Sequence, residues 1–253
     1  DVYRSKTNQS EQFHDYIYHN IGDEVKVTDE KGRAPNFSKD EERFKPTPDQ
    51  KWISNRSYIN PGWHFFENVK TAIVDQSTQA LFTASKLGKE PIKMKMFIPE
   101  TASTEITTCM SPPAVQESHF YNNKPLPTLV LRKKEEAWQK PFIAIFESST
   151  TNNPSLIENV SMIEEKGDAK CVRVDVKKDK ISYSYYILLN DDAGTKTVIK
   201  KQKIKFRGRY AVVSFNNKTK KLSEIYVGDG KEIKVGNLSF QSDMNAPFYM
   251  AFD

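Results

Sequence analysis

The chain has 253 residues, 37% of them hydrophobic, which suits one large all-β domain or two smaller ones and suffices to fill a packed core. Its 38 Lys and Arg against 33 Asp and Glu leave a net charge of +5, so both signs are abundant and the charge reads as solvated surface, with no nucleic-acid partner implied. Two cysteines are too few for a disulfide framework, and no apolar run approaches the ~20 residues that would insert into a bilayer.

The chain opens on a strand-like run, Asp1 to Arg4, without an initiating Met, which suggests part of a longer protein. Next comes Phe13-His14-Asp15-Tyr16-Ile17-Tyr18-His19; as a strand it places His14, Tyr16 and Tyr18 on one side and Asp15, Ile17 and His19 on the other. Thr28 to Gln50 is polar and proline-punctuated and reads as a long surface loop anchored by Phe37 and Phe44. Phe65 to Val74, Ala80 to Ala84 and Ile92 to Ile98 read as strands, the last ended by Pro99. A second loop spans Ser111 to Pro125. Two β-prone runs then flank a charged connector with one Trp, Pro127 to Lys134 and Pro141 to Glu147 around Trp138. The polar stretch Ser148 to Ser155 marks a boundary, predicting domains at 1–149 and 150–253.

Beyond it, Leu156 to Glu165 predicts one or two helical turns. From Cys171 to Phe240 the period is two: Val172, Val174 and Val176 alternate with Arg173, Asp175 and Lys177, predicting a meander of about six short strands. Asn190 to Gly194, Asn216 to Lys220 and Gly228-Asp229-Gly230 supply residues that tolerate positive φ, as hairpin loops require. The basic run from Lys196 through Lys205 and Arg207 to Arg209 alternates with Val198, Ile204 and Phe206, which marks the wet face of a strand rather than a phosphate track. The expected fold class is all-β: an antiparallel β-sandwich followed by a second, smaller C-terminal β-sheet.

Two clusters are candidates for carbohydrate contact. Arg56, Tyr58, Trp63 and His64 lie around a Pro-Gly turn, where aromatic faces stack on sugar rings and Arg or His reaches hydroxyls or carboxylates. The alternative for Trp63 is a plug at one end of the sandwich. His14 and Tyr16 form the other cluster; because His14 and His19 face opposite ways, they do not form a two-histidine metal site, and a sheet edge held by side-chain hydrogen bonds is the competing role. The sequence shows no nucleophile elbow, phosphate loop, His-Glu-x-x-His or acidic calcium cluster, so no catalytic residue and no metal ligand is assigned.

In order, Asp1 to Arg4, His14 to His19, Phe65 to Thr71, Lys93 to Phe97, Leu129 to Glu147, Phe206 to Val213 and Val227 to Lys231 resemble the C-terminal β portion of heparinase II/III-like polysaccharide lyases. The resemblance implies a parent that cleaves uronic-acid-containing polysaccharides by β-elimination, with catalytic Tyr, His and Asn groups in an N-terminal α-toroid that this chain lacks. It implies a structural zinc in several full-length parents but no cofactor held here, and a periplasmic or cell-surface location. On that basis the chain is a non-catalytic scaffold with glycan contact, the alternative being an autonomous carbohydrate-binding or adhesion module. A sheet edge left near Val2 to Arg4 and His14 to His19 would favour strand pairing between copies, a homodimer, or a mobile N-terminal segment.

Overall fold

A computed structural model describes residues 1–6, 13–45, 62–99, 103–113, 120–134, 137–138, 140–163, 170–241 and 247–252. It is all-β: strands and one short 3-10 turn account for every regular element among these residues, and no helix among them is long and apolar enough to cross a membrane. The chain divides into two compact units, Asp1–Pro154 and Ser155–Asp253.

Among the described residues the first unit holds eleven strands. β1 (Val2–Tyr3) pairs with β10 (Phe142–Ile143). The other nine are β2 (Phe13–His19), β3 (Glu24–Asp29), β4 (Ser38–Lys39), β5 (Glu67–Val74), β6 (Thr78–Ala84), β7 (Ile92–Ile98), β8 (Thr104–Ser111), β9 (Leu126–Lys134) and β11 (Ile145–Ser149). They form a five-stranded sheet, β2-β9-β8-β5-β4, and a four-stranded one, β11-β7-β6-β3, with every pairing antiparallel.

Period-two patterning makes these sheets one-sided. In β6, Thr78, Ala80, Phe82 and Ala84 are buried, and in β7 Met94 and Met96 turn inward while Lys93 and Lys95 alternate with them. Phe82, Met96 and Ile98 of one sheet share a core with Ile106, Leu129 and Leu131 of the other, the packing of a β-sandwich. The Thr28 to Gln50 segment is not wholly loop: Thr28 and Asp29 end β3, and Ser38–Lys39 pairs with Lys70 and Thr71. Asp29 closes the turn between them, accepting hydrogen bonds from the Lys31 and Arg33 amides at 2.8 Å each and from Arg33 Nε at 2.7 Å.

The second unit is one eight-stranded sheet. Its strands are β12 (Ile157–Ile163), β13 (Lys170–Lys178), β14 (Ile181–Leu189), β15 (Lys196–Ile199), β16 (Ile204–Asn216), β17 (Leu222–Val235), β18 (Leu238–Gln241) and β19 (Phe248–Ala251). The six-strand meander appears as expected, except that β16 and β17 are 13 and 14 residues long.

Two expectations fail here. Of Leu156 to Glu165, the described part through Ile163 is not helical, because Val160 and Met162 pair with Val174 and Val172 and extend the sheet by β12. Gly228-Asp229-Gly230 is not a hairpin loop but lies inside β17, opposite an irregularity in β16. Across it Arg207 opposes Glu232 whereas Ala211 opposes Val227, so β17 spends one residue more than β16 and the side-chain alternation of β16 slips by one. Glycine is required at the slip: a Cβ on Gly208 would sit 2.4 Å from the Asp229 carbonyl oxygen. Asn190 buttresses it, donating from Nδ2 to the Gly208 and Thr195 carbonyls at 2.7 and 3.2 Å while accepting from Thr197 Oγ1 at 2.7 Å. One contiguous core then draws on both sides of the slip, Ile204, Phe206 and Ile233 with Leu188, Val213 and Ile225.

Candidate functional site

The described candidate contact residues of the first unit lie on either face of its five-stranded sheet or at its rim. Arg56 and Tyr58 lie outside the described residues. Trp63, His64 and Phe65 form a 3-10 turn leading into β5. Trp63 does not present its ring to solvent as a platform: it stacks on Phe66 at 6.2 Å and 10° and meets Phe44 edge-on at 5.3 Å. With Phe44 and Ile17 it caps a small cluster of Phe66, Val69, Cys109 and Val130. Its geometry is that of a plug on the sheet. His64 is buried, its ring 4.0 Å from that of Phe65.

Phe65 is the aromatic group that the turn turns outward, 53% exposed. It forms one wall of an open cavity of about 390 Å³ with Glu67, Met110, Ser111, Pro112, Pro113 and Pro125. Prolines and a phenyl ring give rigid apolar walls, and Glu67 and Ser111 supply the polar groups. Behind Ser111 lies a polar cluster assembled by register: His19 opposes Thr128, Ser111 opposes Leu126, and His19 Nδ1 falls 2.8 Å from Thr128 Oγ1 and 3.1 Å from Ser111 Oγ. The Thr128 and Ser111 hydroxyls are 3.0 Å apart, and each lies within reach of the Leu126 carbonyl. Desolvation of the imidazole on its inner side, where it meets Phe66 edge-on, holds its pKa below the ordinary histidine value and leaves it neutral at pH 7. A serine whose hydroxyl is spent on this network is a positioned hydrogen-bonding group rather than an activated nucleophile.

His14 and Tyr16 stand on the opposite side of β2 from His19. Tyr16 donates to Asp1 Oδ2 at 2.8 Å and stacks on Phe142 at 5.9 Å, and burial raises its pKa. His14 Nε2 is buried without a hydrogen-bond partner among the described residues. The structure therefore separates the expected set: Trp63 packs on the side of β2 that carries Ile17 and His19, while His14 and Tyr16 stand on the other side. Asp15, on the outer side, takes a bidentate pair from Arg132, whose guanidinium also covers the Phe13 ring at 3.5 Å. Trp138 is flanked by cations, with Lys6 Nζ 4.1 Å from its ring. Among the described residues no three His, Cys, Asp or Glu side chains converge on an arrangement that holds a metal ion.

Residues 157–252, nearly all of the second unit, match the family model described as the endo-acting ulvan lyase C-terminal domain. Over all 253 residues the chain is 32% identical to an endo-acting ulvan lyase from Formosa agariphila, and it spans 30% of that protein's length. The second unit through a domain family, and the whole chain through the Formosa agariphila protein, are thus similar to a polysaccharide lyase that acts on ulvan from within the chain.

Proposed function

We propose that the two β units are the scaffold of a polysaccharide lyase of the heparinase II/III type acting on a uronate polymer such as ulvan. The observation that carries this is the match of the entire chain, through both units, to part of an endo-acting ulvan lyase. β-Elimination needs a base at the proton beside the uronate carboxylate, a group that neutralises that carboxylate, and a proton for the leaving oxygen. In this proposal a helical toroid N-terminal to the chain supplies those groups, any structural zinc belongs to the full-length protein, and the enzyme works in the periplasm or at the cell surface, where its polymer is found.

The first unit contributes the cavity beside Phe65. The exposed ring offers a stacking face for a pyranose, Glu67 and Ser111 offer partners for its hydroxyls, and His64 packs against the ring at 4.0 Å. The test follows the far-UV absorbance of the unsaturated product on ulvan and other uronate polymers, using both the chain and the intact protein. Turnover by the intact protein and none by the chain is expected. Turnover by the chain itself, abolished by one point change, overturns the scaffold assignment, and an intact protein that binds ulvan without cleaving it favours a carbohydrate-binding module.

A further inference from the structure

The second unit has a face for which its core has no use. Tyr186, Leu188, Ala211, Val213, Ile225 and Val227 point into the core, so by alternation Tyr185, Tyr210, Tyr226 and Tyr249 stand on the other side of the sheet. Tyr210, Tyr226 and Tyr249 are 36%, 39% and 59% exposed. The rings of Tyr210 and Tyr226 pack edge to face at 5.9 Å, and Tyr249 lies directly opposite Tyr226 on β19. Desolvation and the neighbouring Glu224 carboxylate raise the Tyr249 pKa. A Cβ on Gly228 would lie 2.7 Å from Tyr210 Cδ1 and 3.2 Å from Tyr226 Cε1, so it is the missing side chain that lets both rings rest on the backbone.

Past the slip at Gly208 the same face turns basic. Phe206 and Ile233 point inward, which directs Lys205, Arg207, Glu232 and Lys234 outward. Lys205 is directly opposite Lys234, and Lys196 is directly opposite Arg207. Like charges facing each other across an antiparallel pair destabilise it. Among the described residues none of these four cations has a carboxylate within ion-pair distance; Arg207 also lies opposite Glu232 on β17, which offsets part of its repulsion with Lys196, whereas Lys205 and Lys234 face each other without such a partner in register.

We infer that this face binds an acidic polysaccharide, with sugar rings stacked on Tyr210, Tyr226 and Tyr249 and carboxylates over Lys196, Lys205, Arg207 and Lys234. From Tyr226 to Lys234 β17 runs roughly 25 Å, which takes an oligosaccharide segment rather than one sugar. Glu224 and Glu232 on the same face can accept from sugar hydroxyls, groups in which a glycan is far richer than single-stranded DNA, which favours the glycan. The polymer's identity rests on the polysaccharide-lyase proposal; the surface itself rests on tyrosine exposure and the uncompensated cations.

The experiment is affinity electrophoresis of the 253-residue chain in gels containing ulvan or a neutral glucan, with a single-stranded oligonucleotide as third ligand. Retardation by ulvan and none by the glucan is expected. Tyr226→Ala and Tyr249→Ala should each weaken binding by about tenfold, by analogy with stacking on aromatic side chains, while Tyr249→Phe should not. Lys205→Ser combined with Lys234→Ser should weaken binding and flatten its salt dependence while raising the melting temperature, since a cross-strand repulsion is removed. A chain that ulvan does not retard, variants that bind as the parent does while folded by circular dichroism, or tighter retention of the oligonucleotide overturns the inference. Failure of the lyase proposal is read elsewhere, in the turnover of the intact protein on ulvan.

Discussion

The two units solve the same problem, how to keep one side of a sheet dry, by different means. The first closes its core between two sheets, so Phe82 and Met96 of one meet Ile106 and Leu131 of the other, and it spends spare aromatics such as Trp63 on covering an outer face. The second has a single sheet whose long central strands carry a slip, and the core gathers residues from both sides of it. A sandwich depends on volume filling between layers; a single irregular sheet depends in addition on the few groups that fix its irregularity.

The largest effect separating or equating the two designs should come from the cores themselves. Phe82→Ala in the first unit and Phe206→Ala in the second both empty fully buried positions and should each cost about 3 to 5 kcal/mol, read from denaturant unfolding. A loss below about 1 kcal/mol at either would show that its unit does not depend on that core.

Asn190→Ala tests what is particular to the second unit. It strands the Gly208 and Thr195 carbonyls and the Thr197 hydroxyl without changing any apolar contact, and about 1 to 3 kcal/mol should be lost. The first unit also has an irregularity, in β5 between Glu67 and Lys70, but there one long contact, from the Val69 amide to the Glu41 carboxylate at 3.4 Å, stands where Asn190 makes three, so an Asn190 variant as stable as the parent would erase the contrast.

A smaller effect marks the first unit. Desolvation lowers the His19 pKa, so the unfolded chain binds a proton at a higher pH than the folded one; stability is full above the ordinary histidine value near 6.5 and declines as pH falls from there through the folded pKa. Proton NMR should find His19 titrating below about 6.5, and His19→Gln should remove that part of the pH dependence. A midpoint at or above the ordinary value would contradict the desolvated ring.

The smallest effect should be no effect. Cys109 and Cys171, one in each unit, are buried thiols, and burial pushes Cys109 up to about 12. Neither should react with a thiol reagent at pH 8 in the folded chain. Modification of one and not the other would identify the looser unit.

What was legible in the sequence followed from local alternation. β13 and β14 show one dry and one wet face without any knowledge of their neighbours, and Pro99 ends β7 where expected. β12 was misread because Ile157 to Ile163 lacks strict alternation and becomes a strand through pairing with β13. The hairpin between β13 and β14 follows from the two alternating runs, but its turn carries no glycine signal: the two central residues, Asp179 and Lys180, take φ of 51° and 68°. The polar cluster of His19, Ser111 and Thr128 joins residues 92 and 109 positions apart, and only strand register brings them together. Trp63 stayed open between plug and platform because composition cannot tell a ring facing out from one facing Phe66. The tyrosine face was hidden for a related reason: counting by twos from Phe206 puts Tyr210 in the core, and only the slip at Gly208 turns it out.

That slip makes spacing a heritable character in its own right. Within β13 or β14 a substitution alters one side chain, but between Arg207 and Ala211 the gain or loss of a single codon would act as a frameshift of faces: every later residue of β16 would exchange inside for outside, sending Val213 to water and Tyr210 to the core. The length of the stretch should therefore drift far more slowly than its residue identities, and an engineer who wished to turn this sheet inside out would need to change its letter count before changing any letter.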